Sequence, residues 1–197
     1  WSLKQAGRLR DVPVFLDSPM AINASELLCA HPGDLKLSPE VCRHACAIAT
    51  YVRDVEHSKS LTANRFPKVI ISASGMATGG RVLHHIKAFA PDSRNTILFS
   101  GFQAAGTRGR DMVQGAKEVK IHGEWIPVRA RVENLSALSA HADSNELMRW
   151  LSGVKAAPRK VFIVHGEPEQ SEALRKRIAK DLGWTAMVPR QDQKSEL

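Results

Sequence analysis

Short runs of apolar, β-branched residues alternate along this chain with stretches of helical periodicity. Val12 to Leu16, Lys68 to Ser72, Thr96 to Ser100 and Lys160 to Val164 read as strands. Pro39 to Glu56 and Gly80 to Phe89 read as helices, Pro168 opens another, and Trp184 to Val188 reads as the last strand. Such alternation predicts an α/β fold with a mostly parallel sheet, because parallel strands need a helical crossover to connect them. The rhythm changes between Gly115 and Val132, where short extended pieces around a Gly123-Glu124 turn replace helices. That change predicts two domains, residues 1–117 and 118–197. With 197 residues, 43% of them hydrophobic, the chain can bury a proper core. No apolar run approaches the ~20 residues of a membrane span.

Charge points to the partner. A formal net charge of +8 suggests a polyanionic ligand, since clustered Lys and Arg concentrate phosphates near a surface. Arg108 and Arg110 stand in Gly106-Thr107-Arg108-Gly109-Arg110, where glycines let backbone N–H groups approach an anion. Ser74, Gly75, Thr78, Gly79, Gly80 and Arg81 form a Gly-rich turn between a strand and a helix, a second candidate anion site. The plain alternative is a tight turn with Arg81 in solvent. The turn is not a Walker loop, for it lacks the Gly-Lys-Ser/Thr ending. His84 and His85, one turn into the helix, read as packing or surface residues.

The cysteines Cys29, Cys42 and Cys46 are too few for a disulfide framework in a chain of this length, which fits a reducing cytoplasm. Cys42 and Cys46, at i and i+4 after the helix start Ser38-Pro39-Glu40, read as small packing residues rather than metal ligands. Two histidines have better positions. His141 falls just before a helix capped by Asp143 or Ser144 that runs to about Leu151, and His165 falls just beyond a strand, where open α/β sheets bind ligands. Taken alone, Asp143 as an N-cap with His141 packed beside it explains the first segment. In Val164-His165-Gly166-Glu167, glycine permits close approach of the imidazole to a metal.

Four ordered segments carry a resemblance across essentially the whole chain. Leu16-Asp17-Ser18-Pro19-Met20-Ala21, Ile71 to Arg81, Ser139-Ala140-His141-Ala142-Asp143 and Val164-His165-Gly166-Glu167 resemble the β-CASP group of the metallo-β-lactamase superfamily. The likeness is greatest to bacterial and archaeal relatives of the endonuclease subunit of the cleavage and polyadenylation machinery. It implies that residues 1–117 are most of a β-CASP domain, cut at its N-terminus, and that 118–197 are the returning C-terminal segment of a metallo-β-lactamase αββα domain.

The same resemblance implies roles. His141 matches motif B, a proton donor to the leaving oxygen, and His165 matches motif C, a zinc ligand. Motif C is His in the RNA-processing groups and typically Val in the DNA-repair groups, so His165 implies RNA. The upstream His-x-His-x-Asp-His signature, the later metal-binding His and Asp, and the acidic motif A are absent from the sequence, and Asp17 is not motif A. The expectation is therefore a fragment of a zinc-dependent endoribonuclease that hydrolyses RNA phosphodiester bonds in RNA processing or decay. Two zinc ions would belong to the full-length enzyme and not be retained by the fragment, which would be inactive alone. A non-catalytic RNA-binding relative and a DNA-processing nuclease are the alternatives. The expected partner is RNA in the cytoplasm, with no membrane, and a homodimer is open to the full-length protein.

Overall fold

The computed structural model describes residues 1–8, 11–137 and 141–195, which divide into two compact units, 1–138 and 139–197. After a single helical turn, α1 (Ser2–Gln5), the first unit lays down β1 (Val14–Leu16), α2 (Pro19–Ala30), α3 (Pro39–Cys46), β2 (Ala49–Tyr51), α4 (Val55–Ala63) and β3 (Val69–Ile71). The three strands form a parallel sheet in the order β2-β1-β3, with Val14 opposite both Ala49 and Val69. α2 begins where Ser18 accepts a hydrogen bond from the Ala21 N–H and Pro19 takes a first-turn position that needs no donor.

The single helix expected from Pro39 to Glu56 is instead α3, β2 and α4. Ile48 to Val52 is apolar and β-branched enough to pair with β1, and Asp54 then caps a new helix through the His57 N–H at 2.7 Å. Cys29 in α2 and Cys46 in α3 are joined by a disulfide, and Cys42 is a buried free thiol.

The unit continues with α5 (Val82–Phe89), β4 (Thr96–Ser100), α6 (Arg108–Val113), β5 (Glu118–Ile121), β6 (Glu124–Pro127) and β7 (Arg131–Leu135). β4 and β7 pair in parallel, and β5 and β6 form an antiparallel hairpin. The hairpin turn is His122-Gly123, both at positive φ (49° and 84°), one residue earlier than expected; two consecutive left-handed residues match the twist of tight hairpins. Leu83 and Ile86 of α5, Phe99 of β4, Met112 of α6, and Val119, Ile121 and Ile126 of the hairpin share one buried core. Each such side chain contributes about 1.5–3 kcal/mol by leaving water, so the hairpin is held firmly in this unit.

The second unit contains α7 (Ser144–Ser152), β8 (Val161–Phe162), α8 (Pro168–Leu182) and β9 (Ala186–Met187), with β8 and β9 parallel. Met148, Ile163 and Ile178 make its small core, lined by Leu151, Leu174, Leu182 and Trp184. α8 opens on Pro168 and stops at Gly183, whose φ of 69° is the usual left-handed helix exit. Among the described residues no helix is long and apolar enough to cross a membrane.

Candidate functional site

The Gly-rich turn is anchored from below by a buried carboxylate. Asp17, at the end of β1, is wholly inaccessible to solvent. Ser58 Oγ of α4 donates to its Oδ2 at 2.6 Å, Arg81 Nη1 donates to Oδ1 at 2.6 Å, and His85 Nε2 of α5 lies 2.7 Å from Oδ2. Burial works to raise the Asp17 carboxyl, but hydrogen bonds from Ser58, Arg81 and His85 outweigh it and hold the carboxyl below its usual range. Burial also pushes the His85 imidazole below its ordinary value against the pull of Asp17. His85 is therefore neutral near pH 7 and donates from Nε2, which leaves Nδ1 buried without a hydrogen-bond partner.

Arg81 is committed to this arrangement. Besides Asp17, its guanidinium donates to the carbonyls of Val52 at 2.9 Å and Arg53 at 2.8 Å, so it ties the end of β2 to the start of α5. Neither a solvated Arg81 nor one aimed outward at an anion describes these contacts. In the turn itself, the Ser74 and Thr78 hydroxyls lie 2.9 Å apart, and Ser74 Oγ accepts the Thr78 N–H. Gly80 has φ +76°, and a Cβ there would meet the Ala73 carbonyl oxygen at 2.9 Å, so only glycine closes the turn without strain.

The second basic loop packs against the first. Gln103 Nε2 donates to the Gly75 carbonyl, the Gly109 N–H to that of Met76, both at 3.0 Å, and Arg108 Nη1 to that of Ala77 at 3.3 Å. Arg108 also reaches the Lys120 carbonyl of β5. Ser74, Gly75, Thr78, Gly79, Gly80, Arg81 and Arg108 thus form one braced cluster, with Arg110 half-buried on α6 beside it. A cavity of about 280 Å³ opens at this junction, lined among others by Thr78, Arg108, Lys120 and Trp125. Trp125 is 60% exposed, and the Lys120 ammonium lies 5.9 Å from its ring centre. Sequence reasoning missed this tryptophan, although an aromatic residue two positions past a hairpin turn in a basic chain is the signal that could have found it.

In the second unit, His165 lies exposed beyond the end of β8 with φ +63°, a left-handed conformation that costs energy for a non-glycine residue and often marks a constrained functional position. A Cβ at Gly166 would meet the buried Ser171 hydroxyl at 2.2 Å, so a larger residue there needs that hydroxyl to turn away. Asp143 is an N-cap, accepting from the Asn145 and Glu146 N–H groups at 2.7 and 2.9 Å, while Glu146 accepts the Asp143 N–H in return. The backbone donors of Glu146 and Asn145 lower its carboxyl. His141 is exposed two residues before this cap; Ser139 and Ala140 of the same motif lie outside the described residues.

Residues 1–112 match the model of the Beta-Casp domain. The chain belongs to the Beta-Casp family. Residues 125–189 match a second family model, the Zn-dependent metallo-hydrolase RNA specificity domain. The interval between the two matches contains the expected division at 117/118, whereas the compact units divide after 138, because β5, β6 and β7 pack with the first unit.

A ribonuclease of Thermus thermophilus, TTHA0252, is 39% identical over 181 residues, 87% of this chain and 40% of its own length. An RNase J-like protein of Methanocaldococcus jannaschii is 33% identical over 186 residues, 94% of this chain and 43% of its own. The transcription termination factor FttA of Pyrococcus abyssi is 31% identical over 191 residues, 91% of this chain and 29% of its own. The chain thus spans less than half the length of these relatives.

The family is one of zinc-dependent hydrolases, but the described residues do not complete its metal site. The only cluster of three potential ligands among them consists of cysteines, and His165 is not in it. One imidazole cannot hold a zinc ion that takes three or four protein ligands, so no metal-dependent step follows from these residues alone.

Proposed function

We propose that this β-CASP chain is the RNA-handling portion of a zinc-dependent endoribonuclease of RNA processing or decay, working in the cytoplasm on RNA phosphodiester bonds. One observation carries the proposal: a Beta-Casp segment is followed by an RNA specificity segment that contains both His141 and His165. The names of the bacterial and archaeal relatives, a ribonuclease and an RNase J-like protein, support it.

In this proposal His165 contributes one zinc ligand in the full-length protein and His141 donates a proton to the departing alkoxide as a general acid. The Ser74–Arg81 turn, Arg108 and Arg110 track phosphates. Arg81 acts there by holding the turn's shape, since its own donors are engaged with Asp17, Val52 and Arg53. Trp125 offers a stacking face to a base. The whole protein holds two zinc ions and pairs with a second copy; the 197-residue chain by itself holds neither ion and does not turn over.

The test uses the full-length protein. His165→Ala should lower zinc content together with ribonuclease activity, whereas His141→Ala should keep the zinc and lower only the rate, by about 10²–10⁴-fold for a lost general acid. Equal zinc loss in both variants would overturn the division of roles. RNA binding should weaken steeply with salt, and Arg108→Ala or Arg110→Ala should reduce that slope. A solution mass of one chain would remove the pairing.

A further inference from the structure

Cys29, Cys42 and Cys46 take no part in the loops described above. Their sulfur atoms all lie within 4.8 Å of one another. Cys42 is buried and precedes Cys46 by one turn of α3, so both side chains share a helix face. Cys29 is the penultimate residue of α2 and Cys46 the last of α3. Cys29 and Cys46 thus stand in the last turns of α2 and α3, which bring the sulfurs together. A cavity of about 500 Å³ touches Cys29 and Cys46, with Glu26, Arg43 and Tyr51 also in its wall, and gives an ion a way in.

We propose that, once the Cys29–Cys46 bond is reduced, these three cysteines form a thiolate site for a thiophilic divalent cation, with the fourth position open to the cavity. Three thiolates about 2.3 Å from a tetrahedral Zn²⁺ would stand roughly 3.8 Å apart, within the spread that the sulfurs already show. A phosphine reductant and water convert the disulfide to two thiols and phosphine oxide. Cation binding then releases the thiol protons to solvent as the sulfur lone pairs bind the metal. The site is independent of His165 and of the proposed ribonuclease chemistry.

Cobalt titration of the phosphine-reduced protein tests this, because cobalt–thiolate bonds absorb by charge transfer in the near ultraviolet and cobalt–imidazole bonds do not. One equivalent of Co²⁺ should produce the band, one equivalent of Zn²⁺ should erase it, and His165→Ala should leave it unchanged. Cys42→Ala and the more accessible Cys29→Ser should each abolish it, with circular dichroism confirming that the variants are folded. The unreduced protein should show no band. A reduced protein without the band, or a band of full strength in Cys42→Ala or in the unreduced protein, would overturn the site.

Discussion

The buried cluster at Asp17 and the exposed histidines at His141 and His165 treat polar groups in opposite ways. Asp17 is closed off from water and satisfied by three side chains, Ser58 from α4 and Arg81 and His85 from the start and body of α5, so its charge is consumed in holding β1, α4 and α5 together. His141 and His165 lie exposed at the edges of α7 and β8. Both regions carry segments of the family resemblance, yet one set is buried and paired while the other lies at the surface. A family motif by itself does not say which of the two a residue is; the fold decides it.

The largest expected effect tests the buried side. Asp17→Ala should lower unfolding free energy by about 3–5 kcal/mol, since it leaves Arg81 without its buried counter-charge. Chemical denaturation measures this, and a loss below about 1 kcal/mol would mean that the cluster does not hold the unit together. Gly80→Ala should cost about 1–3 kcal/mol, from a positive φ and a Cβ pressed on the Ala73 carbonyl. That variant should also weaken RNA binding if the turn's shape matters to phosphates.

Acid should affect the same region. The folded His85 titrates below its unfolded value of 6.5, so as pH falls through 6.5 the unfolded chain takes up the proton first. Stability from this group is complete above pH 6.5 and declines below it; Asp17, also lowered, adds a loss in the same direction below pH 3.8. Melting temperatures between pH 7 and 5 should fall less steeply in His85→Gln than in the parent. An identical slope would show that burial of His85 is not what the acid acts on. The smallest changes belong to the exposed residues: His141→Ala, His165→Ala and Trp125→Ala should each move stability by no more than about 0.5 kcal/mol. In Trp125→Ala, RNA affinity should nevertheless fall by about 1–3 kcal/mol, as for loss of a stacked base.

Much of this was legible in the sequence where the cause is local. The cap at Asp143, the helix start at Pro168, the strands around Val14, Val69 and Thr96 and the helix ending at Phe89 all follow from short-range pattern. What was hidden depends on distant partners. β2 is three residues long and becomes a strand only because β1, some 35 positions earlier, offers an edge. β7 needs β4 in the same way. Ser58 and His85 cannot be seen as partners of Asp17 before the fold brings α4 and α5 to the end of β1, and nothing in the spacing shows that Cys29 meets Cys46. Arg81 was legible as a cation beside glycines but not as one already paired.

The hairpin β5–β6 and the strand β7 have a consequence for inheritance. The segment that recurs as an RNA specificity domain starts at residue 125, yet residues 119, 121 and 126 fill the core around Phe99, and β7 completes a ladder with β4. The stretch matched by the family model is thus not the stretch that forms a compact unit. A chimera joined at residue 118 asks a foreign hairpin to fit the native side of that core, and one joined at 125 splits the hairpin within β6, whereas one joined after 138 exchanges the His141 and His165 unit with its own hydrophobic centre intact. The junction after 138 leaves both hydrophobic cores whole.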